Sequence, residues 1–340
     1  MVIKEIKIEE YQKPFISKTY FGQELFEIRK GWYIKIITEG IIGTGEAAPI
    51  PYISNESHGQ AGYALEGFSL ALKGIDYDVS TEELLLLSEI HSDKTPSAKF
   101  AIQSAIYDIL SQSENQTISK FLNSQSLDKI NINSIYHSNS TIDIKKTEVL
   151  KIKIHTQNIY DIRESIDKIL NNYPKNIKLR IDFNGALDLV KSIRICKELE
   201  GYDIDYLEQP LPANSLVDLC ELRMNTNILI GVDESLTDYQ SAEKIIEESA
   251  ADVLVVKPTL SGGYDDIKKI VNLCKNEGLR WIMTSSFETK IAQTSGLHIV
   301  AALNSEEYCG VCNVNLFADE SYSGIEGSKC AIPNIPGLKI

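Results

Sequence analysis

Five charged residues recur at near-equal intervals in the middle of the chain, and each one closes a short apolar run. They are Lys153, Asp182, Glu208, Asp233 and Lys257, separated by 29, 26, 25 and 24 positions. An interval of this size fits one strand, one helix and two short loops, the repeat of a right-handed βαβ unit. Because residues at the carboxyl ends of parallel barrel strands converge on one face, we expect these side chains to share a site. Three carboxylates between two amines indicate a metal site flanked by two proton-transfer groups.

Asp182, Glu208 and Asp233 supply hard oxygen ligands, the kind that Mg²⁺ binds while keeping coordination positions open for substrate oxygens. Mn²⁺ is the expected substitute. Taken singly, each carboxylate is better explained as a helix cap or as half of an ion pair. Three at matched spacing make a magnesium site the better explanation. Asn184, two positions after Asp182, points to the same side of its strand and is expected to orient a ligand carboxylate.

Lys151 and Lys153 lie two positions apart, so their side chains point to the same face of one strand. Repulsion between the two ammonium groups, with a divalent cation nearby, is expected to lower the pKa of at least one lysine toward neutrality. The alternative of an exposed strand fits poorly, because barrel strands are packed on both faces. With Lys257 expected on the far side of the metal, the set predicts removal of a proton α to a carboxylate.

The composition is that of an ordinary soluble globular protein, with 43% hydrophobic and 24% charged residues. The net charge of −14 argues against nucleic-acid binding, which needs basic patches. No apolar run approaches the roughly 20 residues needed to span a bilayer, so no membrane partner is expected. The chain starts without the apolar stretch of a signal peptide, and its six cysteines fit a reducing compartment, so we expect a cytoplasmic protein.

The length of 340 residues fits an α/β barrel of about 200 to 250 residues with a smaller second domain. The first part alternates like strands, with Gly43-Thr-Gly45 expected as a turn, and residues 56–122 have helical periodicity. We predict an α+β capping domain over residues 1–125, completed by the tail 319–340, and a (β/α) barrel over residues 126–318. The eight strands predicted for the barrel are residues 131–136, 150–154, 178–183, 205–207, 228–232, 253–256, 281–284 and 310–314.

Several stretches resemble the enolase superfamily, in its muconate-lactonizing subgroup. The resemblance covers nearly the whole chain and includes Gly45-Glu-Ala-Ala-Pro-Ile-Pro in the capping domain. Within the subgroup, the chain is most similar to o-succinylbenzoate synthases in Pro96-Ser-Ala-Lys-Phe-Ala-Ile, Lys257-Pro-Thr-Leu-Ser-Gly-Gly and Thr284-Ser-Ser-Phe-Glu-Thr. The resemblance implies a modified, enolase-like TIM-type barrel and a Mg²⁺-dependent syn dehydration in menaquinone biosynthesis, a carbon–oxygen lyase reaction. It also implies that Lys153 removes the α proton and later protonates the departing hydroxyl, while Lys257 stabilises the enediolate.

A dipeptide epimerase of the L-Ala-D/L-Glu type is the main alternative, because two lysines also exchange the α proton in that reaction. Such epimerases typically carry Asp-x-Asp after the eighth strand to hold the substrate ammonium, where this chain has Asn313-Val-Asn315. A neutral amide pair cannot balance a buried cation, which disfavours an amino-terminated dipeptide. Phe287-Glu-Thr-Lys290 also occurs in epimerase-like sequences, so this alternative stays open. N-acylamino acid racemisation, which needs no ammonium pocket, stays open with it.

Further polar residues are expected around a small-molecule carboxylate substrate. Thr284, Ser285 and Ser286 at the end of the seventh strand are expected to bind a substrate carboxylate, and Asn313 and Asn315 to contact the substrate after the eighth. A metal-dependent binding protein without activity is the contrasting hypothesis. It would be expected to have lost a lysine or a metal carboxylate, and none is missing.

Two capping-domain segments, residues 15–21 and 50–52, are expected to be loops that contact the distal end of the substrate. Cys309 and Cys312 have no second pair of ligands within a short spacing, so strand packing is expected there rather than zinc binding or redox chemistry. The sequence leaves the oligomeric state open, a homo-oligomer included.

Overall fold

The computed structural model describes residues 1–21, 24–75, 77–136, 146–174, 176–312, 315–320 and 322–338. These residues form a capping part built on a three-stranded antiparallel sheet and a barrel part built on a seven-stranded parallel sheet. Within the same ranges, no helix combines the length and the apolar character that crossing a membrane requires.

The capping part consists of an antiparallel sheet followed by helices. The strands are β1 (Glu5–Phe21), β2 (Glu24–Ile37) and β3 (Ile42–Ala47), and the helices are α1 (His58–Ala71), α2 (Thr81–Ser92), α3 (Pro96–Ser113) and α4 (Ile118–Leu122). In β2, Ile34 and Ile36 are fully buried while Tyr33 and Lys35 are half-buried, so alternate residues face the helices. The period-two pattern of the sequence therefore marks the buried face of this sheet.

Local sequence explains where the capping helices begin. The Ser57 hydroxyl accepts a hydrogen bond from Gln60 N at 3.2 Å at the start of α1, and the Ser80 hydroxyl accepts one from Glu83 N at 3.1 Å at the start of α2. Pro96 occupies the first turn of α3, where its missing N–H removes no helical hydrogen bond.

The expected turn at Gly43-Thr-Gly45 is wrong, because both glycines lie within strand β3. A Cβ at Gly43 would collide with the Ala105 carbonyl, and one at Gly45 would collide with the Ala101 carbonyl. Both carbonyls belong to α3, which lies directly against the strand. The glycines therefore allow close packing of a helix on a strand, rather than a reversal of the chain.

The barrel part alternates strands with helices. Its strands are β4 (Lys129–Asn131), β5 (Ser134–Ile135), β6 (Val149–Lys153), β7 (Lys178–Asp182), β8 (Ile204–Glu208), β9 (Ile230–Val232), β10 (Val253–Val256) and β11 (Arg280–Met283). The helices are α5 (Ile159–Leu170), α6 (Leu189–Leu199), α7 (Leu216–Met224), α8 (Tyr239–Glu247), α9 (Pro258–Ser261), α10 (Tyr264–Asn276) and α11 (Lys290–Ala302). Strands β5 to β11 are neighbours in chain order, as successive βαβ units require.

The predicted eighth strand at residues 310–314 is not present as a strand among the described residues. Isolated parallel bridges take its place, joining Thr284 to Gly310 and Ile132 to Cys309. They connect the segment after β11 to the segment between β4 and β5, at the opposite edge of the sheet. Backbone hydrogen bonds around Cys309 and Gly310 thus close the barrel with little regular strand.

The C-terminal tail contacts both parts of the molecule. Its strands β12 (Ile325–Glu326) and β13 (Lys329–Ala331) form a hairpin, and β13 pairs with β4 at the start of the barrel. Further along, Leu338 N donates to Asp108 Oδ1 of α3 at 2.8 Å. The tail therefore connects strand β4 of the barrel part to helix α3 of the capping part.

Candidate active site

The sheet brings the five regularly spaced residues together at the carboxyl ends of adjacent strands. Lys153 and Asp182 are register partners on β6 and β7, and Asp182 and Glu208 are register partners on β7 and β8. Asp233 and Lys257 directly follow β9 and β10. Because the strands lie in chain order, the three carboxylates form a row with one lysine at each end.

Lys151 lies between two members of this row. Its amine is 2.5 Å from Glu208 Oε1 and 2.9 Å from Asp182 Oδ2, and both carboxylates are 0% exposed. Burial alone would lower the pKa of Lys151, but the charges of Asp182 and Glu208 outweigh it and raise the pKa. The expected lowering is therefore not found at Lys151, which is bound as a cation between two acids.

Lys153 has a looser environment than Lys151. Its amine is 3.9 Å from Asp182 Oδ2, and the side chain keeps 24% of its surface exposed. The same amine lies 5.9 Å from the centroid of the Phe287 ring. Lys153 is thus the less restrained of the two amines on β6, with an aromatic ring on one side.

Lys257, at the other end of the row, is buried and forms an ion pair with Asp233. Burial lowers the pKa of Lys257 to about 7, and the nearby ammonium groups of Lys151 and Lys153 act in the same direction. The sequence predicted a lowered pKa for Lys151 or Lys153, whereas the structure shows it at Lys257. At neutral pH its amine can exist in both the charged and the neutral form.

Asp182 is oriented by the backbone that follows it. Asn184 N donates to Asp182 Oδ1 at 2.9 Å, while no described donor makes a well-aligned hydrogen bond to Asp182 Oδ2, although the Lys151 amine is 2.9 Å away. Burial opposes ionisation of Asp182, but the charges of Lys151 and then Lys153 prevail and lower its pKa. The carboxylate is therefore ionised, with one oxygen left for a further positive partner.

Glu234 is a fourth, partly buried carboxylate of the site, and the sequence did not predict it. The Asn184 side-chain amide donates to Glu234 Oε1 at 3.0 Å, and Glu234 Oε2 has no hydrogen-bond partner among the described residues. Burial, and next the negative charge of Asp182, raise the pKa of Glu234 to about 7. Its position directly after Asp233 was the available signal. Asn184 thus orients this carboxylate, a partner that the sequence did not predict.

Gln209 is a second residue that was missed, and it is fully buried. Its Oε1 accepts hydrogen bonds from Asp233 N at 2.9 Å and Ser235 N at 3.1 Å, and its Nε2 donates to Leu211 O at 2.8 Å. The side chain therefore fixes the turn that carries Asp233. Its place directly after Glu208 was the only signal in the sequence.

The predicted substrate-binding residues after β11 lie at the barrel closure. Thr284 and Ser285 are half-buried, while Ser286 is fully buried and its hydroxyl has no hydrogen-bond partner among the described residues. Asn315 is exposed, and Asn313 lies outside the described residues. Among the described residues, no hydrogen bond connects Thr284, Ser285, Ser286 or Asn315 to the Lys153 amine.

The segment predicted as a loop at residues 15–21 is instead the end of strand β1, with a register irregularity between Pro14 and Thr19. Phe15 from this strand stacks on Phe317 at 5.3 Å between ring centroids and meets Phe287 edge-on at 6.2 Å. Because the Phe287 ring also faces Lys153, an aromatic row leads from β1 to the amine. The hairpin pairing of β1 with β2 overrides the loop expectation.

Residues 50–52, the second capping segment predicted as a loop, form neither helix nor strand, and the segment is buried at one end and exposed at the other. Ile50 is 3% exposed, whereas Tyr52 is 91% exposed and has a left-handed φ of 69°. Cys309 and Cys312 are both buried free thiols, which agrees with a packing role. Neither thiol belongs to the row of carboxylates.

The donor set fits a divalent cation of the hard type, although no cluster of three or more His, Cys, Asp or Glu in the described ranges is arranged to hold a metal ion. Asp182, Glu208 and Asp233 carry carboxylate oxygens in one row, and Asp182 Oδ2 lacks a well-aligned donor. Lysine amines occupy positions beside these oxygens, where they supply positive charge. The chemistry of the ligands thus suits Mg²⁺ or Mn²⁺.

Residues 141–338, more than half of the chain, match a family described as enolase C-terminal domain-like. The chain belongs to the enolase superfamily. Its relatives place it in the muconate-lactonizing-like subgroup, and the predicted enolase-like barrel with a capping domain is confirmed. Members of this superfamily are catalytic and bind Mg²⁺.

Similarity to individual relatives is low and spread over several reactions. The chain is 28% identical to the L-Ala-D/L-Glu epimerase of Clostridium acetobutylicum, over 89% of this chain and 87% of the relative. It is 26% identical to the o-succinylbenzoate synthase of Bacillus subtilis, over 85% and 78%. A solved dipeptide epimerase of Enterococcus faecalis, complexed with Mg and L-Leu-L-Tyr, superposes with a TM-score of 0.86 at 22% identity, covering 99% of both chains. This last likeness supports the fold alone.

Proposed function

We propose that this enolase-superfamily member removes the proton α to a carboxylate and then eliminates water, as a lyase of the o-succinylbenzoate synthase type. The observation that carries the proposal is the row of buried carboxylates with a lysine at each end. Lys153 is 3.9 Å from Asp182, and Lys257 is paired with Asp233. A substrate carboxylate bound at the middle of the row would face amines on both sides.

Asp182, Glu208 and Asp233 would hold Mg²⁺, with Mn²⁺ as a substitute. Bound there, the ion would neutralise the substrate carboxylate and the negative charge that grows on it as the α proton leaves. Gln209 fixes the backbone of Asp233, and Asn184 N fixes Asp182, so these carboxylates need little reorganisation.

The lysines would divide the proton transfers. Lys153 Nζ would take the α proton and then return it to the departing hydroxyl, so that one C–H and one C–O bond break, one C=C bond forms and water leaves. Lys257 in its charged form would stabilise the enediolate from the other end of the row. Lys151, held between two acids, would keep the row charge-balanced. Thr284, Ser285 and Ser286 would bind a second substrate carboxylate.

The resemblance of Lys257-Pro-Thr-Leu-Ser-Gly-Gly and Thr284-Ser-Ser-Phe-Glu-Thr to o-succinylbenzoate synthases supports dehydration over epimerisation. Asn313 and Asn315 stand where the epimerases carry two aspartates, which supports the same choice. The substrate would then be a cyclohexadiene carboxylate of menaquinone biosynthesis.

A second candidate is epimerisation of a dipeptide, favoured by the 28% identity to an L-Ala-D/L-Glu epimerase. The same two lysines would then take and return the α proton from opposite faces. N-acylamino acid racemisation would use the same pair and would need no carboxylate for a substrate ammonium.

The test is a parallel assay of the purified protein with Mg²⁺ on three substrates. The first is the cyclohexadiene substrate of o-succinylbenzoate synthase, followed by loss of water. The second and third are L-Ala-L-Glu and an N-succinyl amino acid in D₂O, followed by exchange of the α proton. Lys153→Ala is the catalytic control, and Lys168→Ala on the exposed face of α5 is the matched surface control.

Dehydration that requires Mg²⁺ and Lys153, without dipeptide exchange, would support the lyase. Exchange of the dipeptide or of the N-succinyl amino acid without dehydration would replace the lyase with the corresponding isomerase. Full dehydration by Lys153→Ala would remove Lys153 from the mechanism.

A further inference from the structure

The segment Ser286–Thr289, between β11 and α11, is held by three charged side chains that are all buried. Glu288 Oε2 accepts from Ser286 N at 2.7 Å, and Glu288 Oε1 accepts from the Thr259 hydroxyl at 2.9 Å. From the capping sheet, Glu46 accepts from Thr289 N at 2.9 Å and from its hydroxyl at 2.7 Å. The third of these side chains is Arg29.

Arg29 lies on capping strand β2 and is 5% exposed. Its Nε donates to Phe287 O at 3.1 Å and its Nη2 to Ser286 O at 3.4 Å. On the capping side, Nη1 donates to Pro49 O at 2.8 Å, and Nη2 donates to Ala48 O. One planar guanidinium therefore joins the carbonyls of a capping loop to those of a barrel loop, which a lysine amine cannot do with the same geometry.

The barrel loop joined in this way carries the aromatic neighbour of Lys153. Phe287 has a left-handed φ of 61°, a backbone conformation that non-glycine residues adopt only when their surroundings hold it. Its ring centroid is 5.9 Å from Lys153 Nζ. The Arg29 bond to Phe287 O thus acts on the residue whose conformation sets the position of that ring.

We propose that Arg29 is a positioning residue, which fixes Phe287 over Lys153 and so makes the geometry at the proton-transferring amine depend on the capping domain. The inference rests on the proposed role of Lys153 in proton transfer. Arg29 itself touches neither lysine through a described contact. Its effect on turnover passes through the Ser286–Phe287 backbone and the Phe287 ring.

The test is a double-mutant cycle with Arg29→Met, Phe287→Leu and the combined variant, assayed for kcat and KM on the substrate that the wild type turns over. A displacement of about 1 Å at a reacting group can lower a rate about 100-fold, so Arg29→Met should lower kcat/KM by about 10- to 100-fold. Because both residues act through the Phe287 ring, kcat/KM of the double variant should lie within about threefold of that of the less active single variant. Arg163→Met, which removes an exposed arginine on α5, should change neither constant.

Arg29→Lys serves if the methionine variant folds poorly, and it should restore only part of the rate because an ammonium lacks the planar fork. Multiplying losses in the double variant would overturn the proposal, as would full activity of Arg29→Met. A uniform loss of melting temperature with unchanged kinetic constants at low temperature would also overturn it, since that result indicates a purely structural role.

A readout without turnover separates this inference from the proposed function. The rate at which a small amine-reactive acylating reagent modifies Lys153 can be measured by mass spectrometry. It should be several-fold higher in both Arg29→Met and Phe287→Leu than in the wild type, because the Phe287 ring no longer covers the amine. Hydrogen exchange in residues 286–289 should rise in Arg29→Met. If the variants label faster but the wild type turns over none of the substrates, the proposed reaction is refuted and the positioning role of Arg29 stands. If labelling of Lys153 is unchanged in the variants, the positioning role is refuted.

Discussion

Lys151 and Lys153, two residues apart on β6, are expected to respond to removal in opposite ways. The Lys151 amine lies 2.5 Å and 2.9 Å from two fully buried carboxylates. The Lys153 amine has its nearest acid at 3.9 Å and keeps 24% of its side chain exposed. Lys151→Met should therefore cost stability first, while Lys153→Met should cost activity first.

The magnitudes follow from these surroundings. Lys151→Met leaves Asp182 and Glu208 buried without their shared cation, which costs about 3–5 kcal/mol for a broken buried pair. Lys153→Met breaks one long, partly exposed pair, worth less than about 1 kcal/mol. Loss of a positioned proton-transfer group should lower turnover by about 10²- to 10⁴-fold in Lys153→Met.

The assay combines urea unfolding, followed by tryptophan fluorescence in EDTA, with turnover or α-proton exchange in Mg²⁺. Lys168→Met, on the exposed face of α5, is the control for loss of a surface ammonium. Added Mg²⁺ should recover part of the stability lost in Lys151→Met, because a divalent cation replaces the missing charge between the carboxylates. An unfolding midpoint of Lys151→Met equal to that of the wild type would refute the electrostatic argument, and turnover of Lys153→Met within threefold of the wild type would refute the catalytic one.

Three further predictions concern buried titratable groups. Burial raises the pKa of Glu56 to about 7, so the free energy of unfolding of the wild type should fall as pH rises from about 4.5 through 7. In urea unfolding, Glu56→Gln should be roughly 2–3 kcal/mol more stable than the wild type at pH 8.5 and nearly as stable as the wild type at pH 4. Burial lowers the pKa of His298 to about 4, so the wild type should lose stability as pH falls from about 6.5 to 4, and His298→Gln should flatten that slope in thermal melts. Glu46→Ala removes the carboxylate that accepts hydrogen bonds from Thr289 N, Thr289 Oγ1 and Ala292 N, and it should lower the free energy of unfolding by about 3–5 kcal/mol. Glu46→Gln should lose less stability than Glu46→Ala. Equal unfolding midpoints for Glu46→Ala and the wild type would contradict these hydrogen bonds.

The regular spacing of acids and amines was sufficient to predict the barrel and the row in which these acids and amines lie. In βαβ repeats, the strand order follows the chain order, so residues at equivalent positions must meet at one edge. Six of the predicted barrel strands, from residues 150 to 284, lie within two residues of the observed ones. The prediction of an eighth strand was wrong because the segment pairs only through isolated bridges at Cys309 and Gly310. Such bridges leave little alternation of buried and exposed residues in the sequence.

Other errors arose where tertiary contacts or the ends of strands decided the local structure. Gly43 and Gly45 look like turn residues in the sequence, but their role depends on α3 lying against β3. Residues 15–21 were expected as a loop because their pairing with β2 could not be inferred from short-range pattern. Glu234 was missed because strand periodicity would point it away from Asp233, and strand β9 ends before that rule applies.

The sequence by itself determined that three acids and two amines lie at the ends of consecutive strands, because periodicity and spacing are local properties of the chain. Only the tertiary structure decided how their charges are distributed. Lys151 is held between Asp182 and Glu208, whereas burial leaves Lys257 with a pKa of about 7. Likewise, the bonds from Arg29 to Ser286 and Phe287 join residues 257 or more positions apart, and such contacts depend on three-dimensional packing that leaves no pattern in the sequence.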